Sequence, residues 1–282
     1  MSYTLSEDKT RLFYKIDHAD SAGVSALIIH GFGDHCERYD TFTAYLNKLG
    51  ISVLRFDYRG HGRSEGKKGH ILSFEEYIQD LEAAIDIFED SFPDSKRILL
   101  GHSNGALIAT HGLALIPKLH TWDAVVLSSP FFAIKVKVPW WKSFLGQKLS
   151  RLIPTMQLPT DLEPTHMSHD PEVIKNYSTD PLIGRVASAR WFTEILKAHS
   201  QLEERLQQIK IPILMQIAGE DYIADSEVSK NLFNSITSAD KSLRLYEGLY
   251  HEIWFEDISL NRKVFAELEE FLHNHSLVTA VT

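Results

Sequence analysis

Residues 96–105 read Lys96-Arg97-Ile98-Leu99-Leu100-Gly101-His102-Ser103-Asn104-Gly105, and the run Ala106 to Ile116 that follows is apolar and helix-like. An apolar strand therefore leads into Gly-x-Ser-x-Gly, and a helix leads out of it. A serine between two glycines can sit on a sharp strand-to-helix turn where a larger neighbour would clash. Its hydroxyl then stands clear of the sheet, beside the amides that open the helix. The five letters alone are a weak signal, because an ordinary glycine-rich strand–helix turn shares them. The strand before and the helix after make Ser103 a candidate nucleophile.

A serine hydroxyl needs a base to take its proton, and the base needs an acid to orient it. The junction resembles the nucleophile elbow of α/β-hydrolases, in which the chain order is Ser, then Asp or Glu, then His. Downstream, the apolar run Ile211 to Ile217 ends in Ala218-Gly219-Glu220-Asp221-Tyr222-Ile223-Ala224-Asp225. The alternating run Lys241 to Glu247 ends in Gly248-Leu249-Tyr250-His251-Glu252. A carboxylate thus follows one strand and a histidine the next. Asp221 is the expected acid and His251 the expected base. Glu220 and Asp225 are rival acids, although Asp225 is also placed to cap the helix after it.

The chain has 14 histidines. His61 and His102 follow strands but precede the acid, the wrong order for the base. His30 and His35 flank Gly31-Phe32-Gly33-Asp34 after the strand Ala26 to Ile29, and read as structural. The other histidines lack a comparable strand-end context and read as surface or packing residues. No H-E-x-x-H or C-x-x-C spacing occurs, so neither a metal nor another cofactor is expected. The loop after Ile29 is where an oxyanion hole belongs. Its expected donors are the backbone amides of Phe32 and of Asn104, the residue after the nucleophile. Each such donor is worth roughly 3 kcal/mol to the developing alkoxide.

Several stretches resemble the monoacylglycerol lipase and lysophospholipase family. They are His30-Gly31-Phe32-Gly33-Asp34-His35 with Arg38-Tyr39, and Phe56-Asp57-Tyr58-Arg59-Gly60-His61-Gly62-Arg63-Ser64-Glu65-Gly66. Ser128-Ser129-Pro130, Asp170-Pro171-Glu172-Val173, Tyr177 and Asp180-Pro181-Leu182 follow the later signatures. The resemblance implies Ser103, Asp221 and His251 as a triad. It also implies that Asp34 and Arg38 border the pocket for the substrate's polar head. Asn104 replaces the family's usual Met, Asp34 its usual Glu, and Trp254 a second polar residue found in some members. These departures bear on the substrate rather than on hydrolysis.

The rest of the chain fits an α/β-hydrolase fold, a mostly parallel sheet flanked by helices. Strands are expected at Ala26–His30, Ile51–Asp57, Arg97–Leu100 and Ala124–Leu127, and a helix at Tyr39–Leu49 closed by Gly50. Ser73-Phe74-Glu75-Glu76 reads as a capping box for a long amphipathic helix. From Phe131 to about Arg185 the alternation breaks, and helical spacing resumes over Ala189–Ile209. The expected organisation is core at 1–130, an inserted cap at 131–187 over the site, and core again at 188–282.

The cap is basic and aromatic. Between Phe131 and Thr160 there are five Lys or Arg, five aromatic residues and no acid, although the whole chain carries −9. Pro139 is expected to open a helix presenting Trp140, Trp141, Phe144, Leu145, Leu149 and Leu152 on one side. Trp140, Trp141 and Phe144 would roof an acyl pocket. Basic-aromatic helices also lie at lipid surfaces, so peripheral contact with an anionic membrane is a second reading. The acidic balance argues against general nucleic-acid binding. The single cysteine, Cys36, excludes an internal disulfide and suits a reducing cytosol, a buried thiol being the expectation. Met1 to Thr10 has no apolar leader core, and no run of ~20 apolar residues exists to span a bilayer.

The expected activity is serine hydrolysis of a lipid carboxylic ester, a monoacylglycerol or lysophospholipid by the resemblance. A broad carboxylesterase or an acyltransferase is the alternative. A non-catalytic binding protein on a hydrolase scaffold is disfavoured, because all three triad positions are filled.

Overall fold

The computed structural model describes residues 2–20, 23–135, 146, 148–160 and 162–278. Ten strands are described: β1 (Ser2–Leu5), β2 (Arg11–Asp17), β3 (Val24–Ile29), β4 (Ile51–Phe56), β5 (Lys96–His102), β6 (Ala124–Ser128), β7 (Gln157–Pro159), β8 (Val186–Ser188), β9 (Ile213–Ala218) and β10 (Lys241–Tyr246). Eight form one sheet in the order β1-β2-β4-β3-β5-β6-β9-β10. From β4 to β10 the pairings are parallel; β1 and β2 add an antiparallel edge. This is the mostly parallel sheet that the alternation predicts, the layout expected of the α/β-hydrolase fold that the elbow resembles.

The register puts alternate residues on opposite faces, and both faces are covered. Leu27, Ile29, Leu54, Leu99, Val125 and Met215 pack on one side with helices α2 (Glu75–Ser91) and α3 (Asn104–Leu115). Ala26, Ile28, Val53, Ile98, Val126 and Leu214 pack on the other, with α1 (Asp40–Lys48) and the last helix, Ile258–Asn274. Burial on both faces explains why the central strands read as continuous apolar runs. A parallel sheet also brings β3, β5, β6, β9 and β10 to the same edge with their carboxyl ends, so the loops after them meet there.

Some local expectations change. The long helix begins at Glu75 with no side-chain cap, and the Glu76 carboxylate accepts from the Leu72 amide instead of closing a box with Ser73. The spacing over Ala189–Ile209 divides into Ala189–Ser200 and Leu202–Leu206, the first capped by Ser188, whose hydroxyl accepts from Trp191 N–H. β1 and β2 lie upstream of the first strand read from sequence. β1 is a partly exposed edge strand, and only Leu12 and Phe13 of β2 are fully buried, so neither carries a strong apolar run.

Between β6 and β9 lie the small antiparallel pair β7–β8 and the helix Pro171–Thr179, capped by Asp170. Trp140, Trp141 and Phe144 fall outside the described residues. Leu149 lines the cavity described below, whereas Leu152 is 78% exposed, so these two do not share one inward face.

Candidate active site

Ser103 sits at φ 54°, ψ −118°, between β5 and α3. The two glycines of the motif answer to sterics. A Cβ on Gly105 would lie 2.1 Å from the Ile29 carbonyl oxygen, and one on Gly101 would lie 2.8 Å from the Ala106 Cα. The turn is held by Ser103 N–H donating to Ser128 O at 2.9 Å and Phe131 N–H donating to Ser103 O at 3.1 Å. A positive φ on a serine is strained, and these packed neighbours over-determine it.

The loops after β9 and β10 deliver the partners. His251 Nε2 lies 2.8 Å from Ser103 Oγ, and His251 Nδ1 lies 2.7 Å from Asp221 Oδ2. With the proton on Nδ1, the ring donates to the carboxylate and accepts from the serine hydroxyl. Asp221 Oδ1 accepts from the Ile223 and Ala224 amides at 2.8 and 2.9 Å, which fixes the carboxylate. Asp225 accepts from the Glu227 and Val228 amides at the start of a helix, and Glu220 is exposed. Of the three candidate acids, only Asp221 meets the histidine.

Burial by itself lowers the His251 pKa. The Asp221 charge and hydrogen bond outweigh that, with Glu252 and Asp34 adding, and the net shift is upward from 6.5. His102, buried and 5.1 Å ring-to-ring from His251, moves the other way: burial and the neighbouring imidazole hold it well below the ordinary value. One imidazole is thus held more basic than an ordinary histidine, and the other stays neutral.

Gly31 lies against Ser103; a Cβ there would sit 3.2 Å from Ser103 Cβ. Its carbonyl accepts from the Tyr58 hydroxyl at 2.8 Å, which orients the following peptide. Phe32 follows, its ring 3.9 Å from Trp191. Neither the Phe32 nor the Asn104 amide donates to another described group. The Asn104 side chain donates to Tyr58 at 3.2 Å. His30 stacks on Tyr58 at 4.2 Å, and burial lowers its pKa. The Asp57 carboxylate supports the same loop, accepting from the Cys36 amide at 2.7 Å and the Arg63 amide at 2.8 Å. Cys36 is buried, which raises its thiol pKa well above the ordinary value.

Ser103 opens into a cavity of about 470 Å³. One part of the wall is apolar, with Phe131, Ile134, Leu149, Leu158, Trp191, Phe192 and Ile223. Another part carries Asp34, Tyr177 and Glu252. Arg38, which the resemblance puts at the pocket's border, lies behind this wall. It clamps Glu252 with two bonds of 2.7 Å, donates to Asp34 at 3.0 Å, and stacks over Tyr177 at 5.0 Å. Glu252 was not singled out by the sequence, and neither was Tyr177 as a wall residue. The adjacent His-Glu pair was visible, but its arginine partner is 214 residues away. Among the described residues, no group of three His, Cys, Asp or Glu could hold a metal ion.

A family profile described as serine aminopeptidase, S33, matches residues 22–258. The chain belongs to this family. Phospholipase YtpA of Bacillus subtilis is 31% identical over 84% of this chain and 91% of its own length. The mouse monoglyceride lipase is 28% identical over 90% of this chain and 83% of its own. An uncharacterized abhydrolase domain-containing protein of Dictyostelium discoideum is 31% identical over 80% of this chain, which spans about a quarter (24%) of that longer protein. Among solved structures, the monoacylglycerol lipase of Paleococcus ferrophilus superposes with a TM-score of 0.83, at 29% identity, covering 94% of this chain and 99% of that one. The resemblance read from the motifs is thus borne out, and the chain is a carboxylic ester hydrolase of this serine hydrolase family.

Proposed function

We propose that this chain hydrolyses a monoacylglycerol or lysophospholipid through Ser103, His251 and Asp221. The observation that carries the reading is the unbroken Ser103–His251–Asp221 chain of hydrogen bonds opening into a cavity with an apolar wall and a carboxylate-bearing end. Ser103 Oγ attacks the ester carbonyl while His251 Nε2 takes its proton. Asp221 holds the imidazole and stabilises its cation. The Phe32 and Asn104 amides receive the oxyanion. His251 returns the proton to the leaving alcohol, and water activated by the same nitrogen then releases the acid. The acyl chain lies along the apolar wall, and the head group meets Asp34 and Glu252. Residues 131–187 act as the cap. The names of the similar proteins support this substrate class.

Hydrolysis of 1-lauroylglycerol and lauroyl-lysophosphatidylcholine, with fluorophosphonate labelling at Ser103, tests the reading. A protein that neither labels nor turns over an ester refutes it. The pH profile has a defined sign. His251 must be neutral to act as base, and its pKa is raised above 6.5. kcat/KM should therefore rise with pH through a midpoint above that value and then level off. A profile flat from about pH 5 to 9 on a chemistry-limited ester argues against a histidine base.

The cap also supports peripheral membrane contact. Leu152, Ile153, Met156 and Leu158 are exposed in one short stretch, Leu158 reaches the cavity wall, and Lys135, Lys148 and Arg151 are exposed nearby in sequence. Lys137 and Lys142 fall outside the described residues. Among those described, no helix is long and apolar enough to cross a membrane. Each surface cation contributes roughly 1 kcal/mol on anionic lipid, weakening with salt. Sedimentation with anionic vesicles should show binding at low salt, reduced by Leu152→Ser with Ile153→Ser. Wild-type protein left in the supernatant at low salt removes this reading.

A further inference from the structure

The Phe56 to Gly66 motif contributes one side chain that bonds to two neighbours of Ser103. Tyr58 is fully buried, its ring stacked on His30 at 4.2 Å and edge-on to Tyr77 at 4.8 Å. Its hydroxyl donates to Gly31 O at 2.8 Å and accepts from Asn104 Nδ2 at 3.2 Å. The direction of this relay follows from its end. Gly31 O can only accept, so the phenol donates to it, and Asn104 must then present its amide nitrogen. Burial, with Tyr77 alongside, holds the phenol pKa well above its ordinary value, so the donor keeps its proton.

The two partners belong to the peptides that carry the expected oxyanion donors. Gly31 O and Phe32 N–H are parts of one trans peptide group, so they point in opposite directions. The same oxygen lies 2.7 Å from His30 Nδ1. Burial keeps that ring neutral, and the nitrogen facing a carbonyl is the one that carries the proton. Two donors on one carbonyl fix the peptide plane and polarise the peptide, which strengthens its N–H as a donor. On the other side, the Asn104 side chain ties the phenol to the residue whose own amide is the second donor. Tyr58 is not among the residues that line the cavity, so it acts through these groups.

We propose that Tyr58 is a positioning residue that holds the Phe32 and Asn104 amides together as one oxyanion hole. The proposal rests on the reading that Ser103 is the nucleophile and that these two amides receive the oxyanion. Their alignment matters little to a planar ester carbonyl, whose oxygen carries only partial charge. It matters more to the tetrahedral state, where that oxygen is an anion. Loss of the hydroxyl therefore falls on kcat and spares KM.

Tyr58→Phe removes one oxygen and leaves the ring. On 4-nitrophenyl butyrate, kcat should fall about tenfold, with KM changed by less than about twofold. Butyl trifluoromethyl ketone reads the hole without turnover. Ser103 Oγ adds to its carbonyl carbon, the hydroxyl proton passes to His251 Nε2, and the carbonyl oxygen becomes an oxyanion. Its inhibition constant should rise by the factor by which kcat/KM falls. Asn104→Leu keeps the bond from Tyr58 to Gly31 and removes the other, so it should lower kcat by only about threefold. Added to Tyr58→Phe, it should lower kcat no further, because the relay is already broken. In Tyr58→Phe, a kcat within about twofold of wild type overturns the proposal. A loss confined to KM, a fall in kcat with ketone inhibition unchanged, or losses that multiply in the double variant also overturn it. Should Tyr58→Phe fail to fold, Asn104→Leu decides alone: matched losses in kcat/KM and ketone inhibition support the relay, and unmatched or absent losses overturn it. Wild-type protein that shows no turnover, no ketone inhibition and no fluorophosphonate labelling sinks the underlying hydrolase reading instead.

Discussion

Ser103→Ala should lower ester hydrolysis by on the order of 10⁵–10⁶-fold while the protein stays folded. The substitution removes one oxygen, the atom 2.8 Å from His251 Nε2, and leaves the backbone bonds from Ser103 to Ser128 and Phe131 untouched. No other hydroxyl among the described hydrogen bonds is shown reaching that nitrogen, so the chemistry has no substitute nucleophile of the same kind. Residual catalysis would come only from the oxyanion amides and from substrate binding. The comparison requires purified variant, an unchanged circular dichroism spectrum and a single soluble ester. Turnover at a tenth of wild type would remove Ser103 from the nucleophile role.

Asp221→Asn should cost on the order of 10³–10⁴-fold in kcat. The amide keeps the shape of the carboxylate and can still accept from the Ile223 and Ala224 amides. It removes the charge that stabilises the imidazolium, and an amide nitrogen toward His251 Nδ1 favours the wrong tautomer. The same change should lower the His251 pKa, because the Asp221 charge and hydrogen bond raise it. Asp225→Asn is the matched control. Asp225 accepts from two amides at a helix start, and asparagine caps about as well as aspartate. Stability should shift by only about a few tenths of a kcal/mol and activity by less than about twofold. Reversed severities in a side-by-side assay would move the acid role to Asp225.

What the sequence by itself determined is what local sterics and periodicity govern. The elbow was legible because Gly101 and Gly105 face backbone atoms too close for any side chain, and because strand and helix have distinct apolar periods. The central strands were legible because sheet burial on both faces demands continuous apolar runs. Asp225 as a helix cap was legible because capping is a contact within three residues. The motif Asp57 to Gly66 was visible as a pattern, but the hold of Asp57 on the loop after β3, through the Cys36 amide, was not.

The tertiary structure alone decided which carboxylate meets His251. Glu220, Asp221 and Asp225 share one loop, and a four-residue shift changes which group faces a histidine 30 positions away from Asp221. It also turned Arg38 away from the cavity, because a guanidinium with two buried carboxylates in reach satisfies them before any ligand. Glu252 gained its place on the wall by pairing with a residue 214 positions away. Such pairs leave no periodic signature in the chain. They arise because a parallel sheet gathers the carboxyl ends of distant strands at one edge, where charge and geometry, rather than sequence neighbours, determine which groups bond.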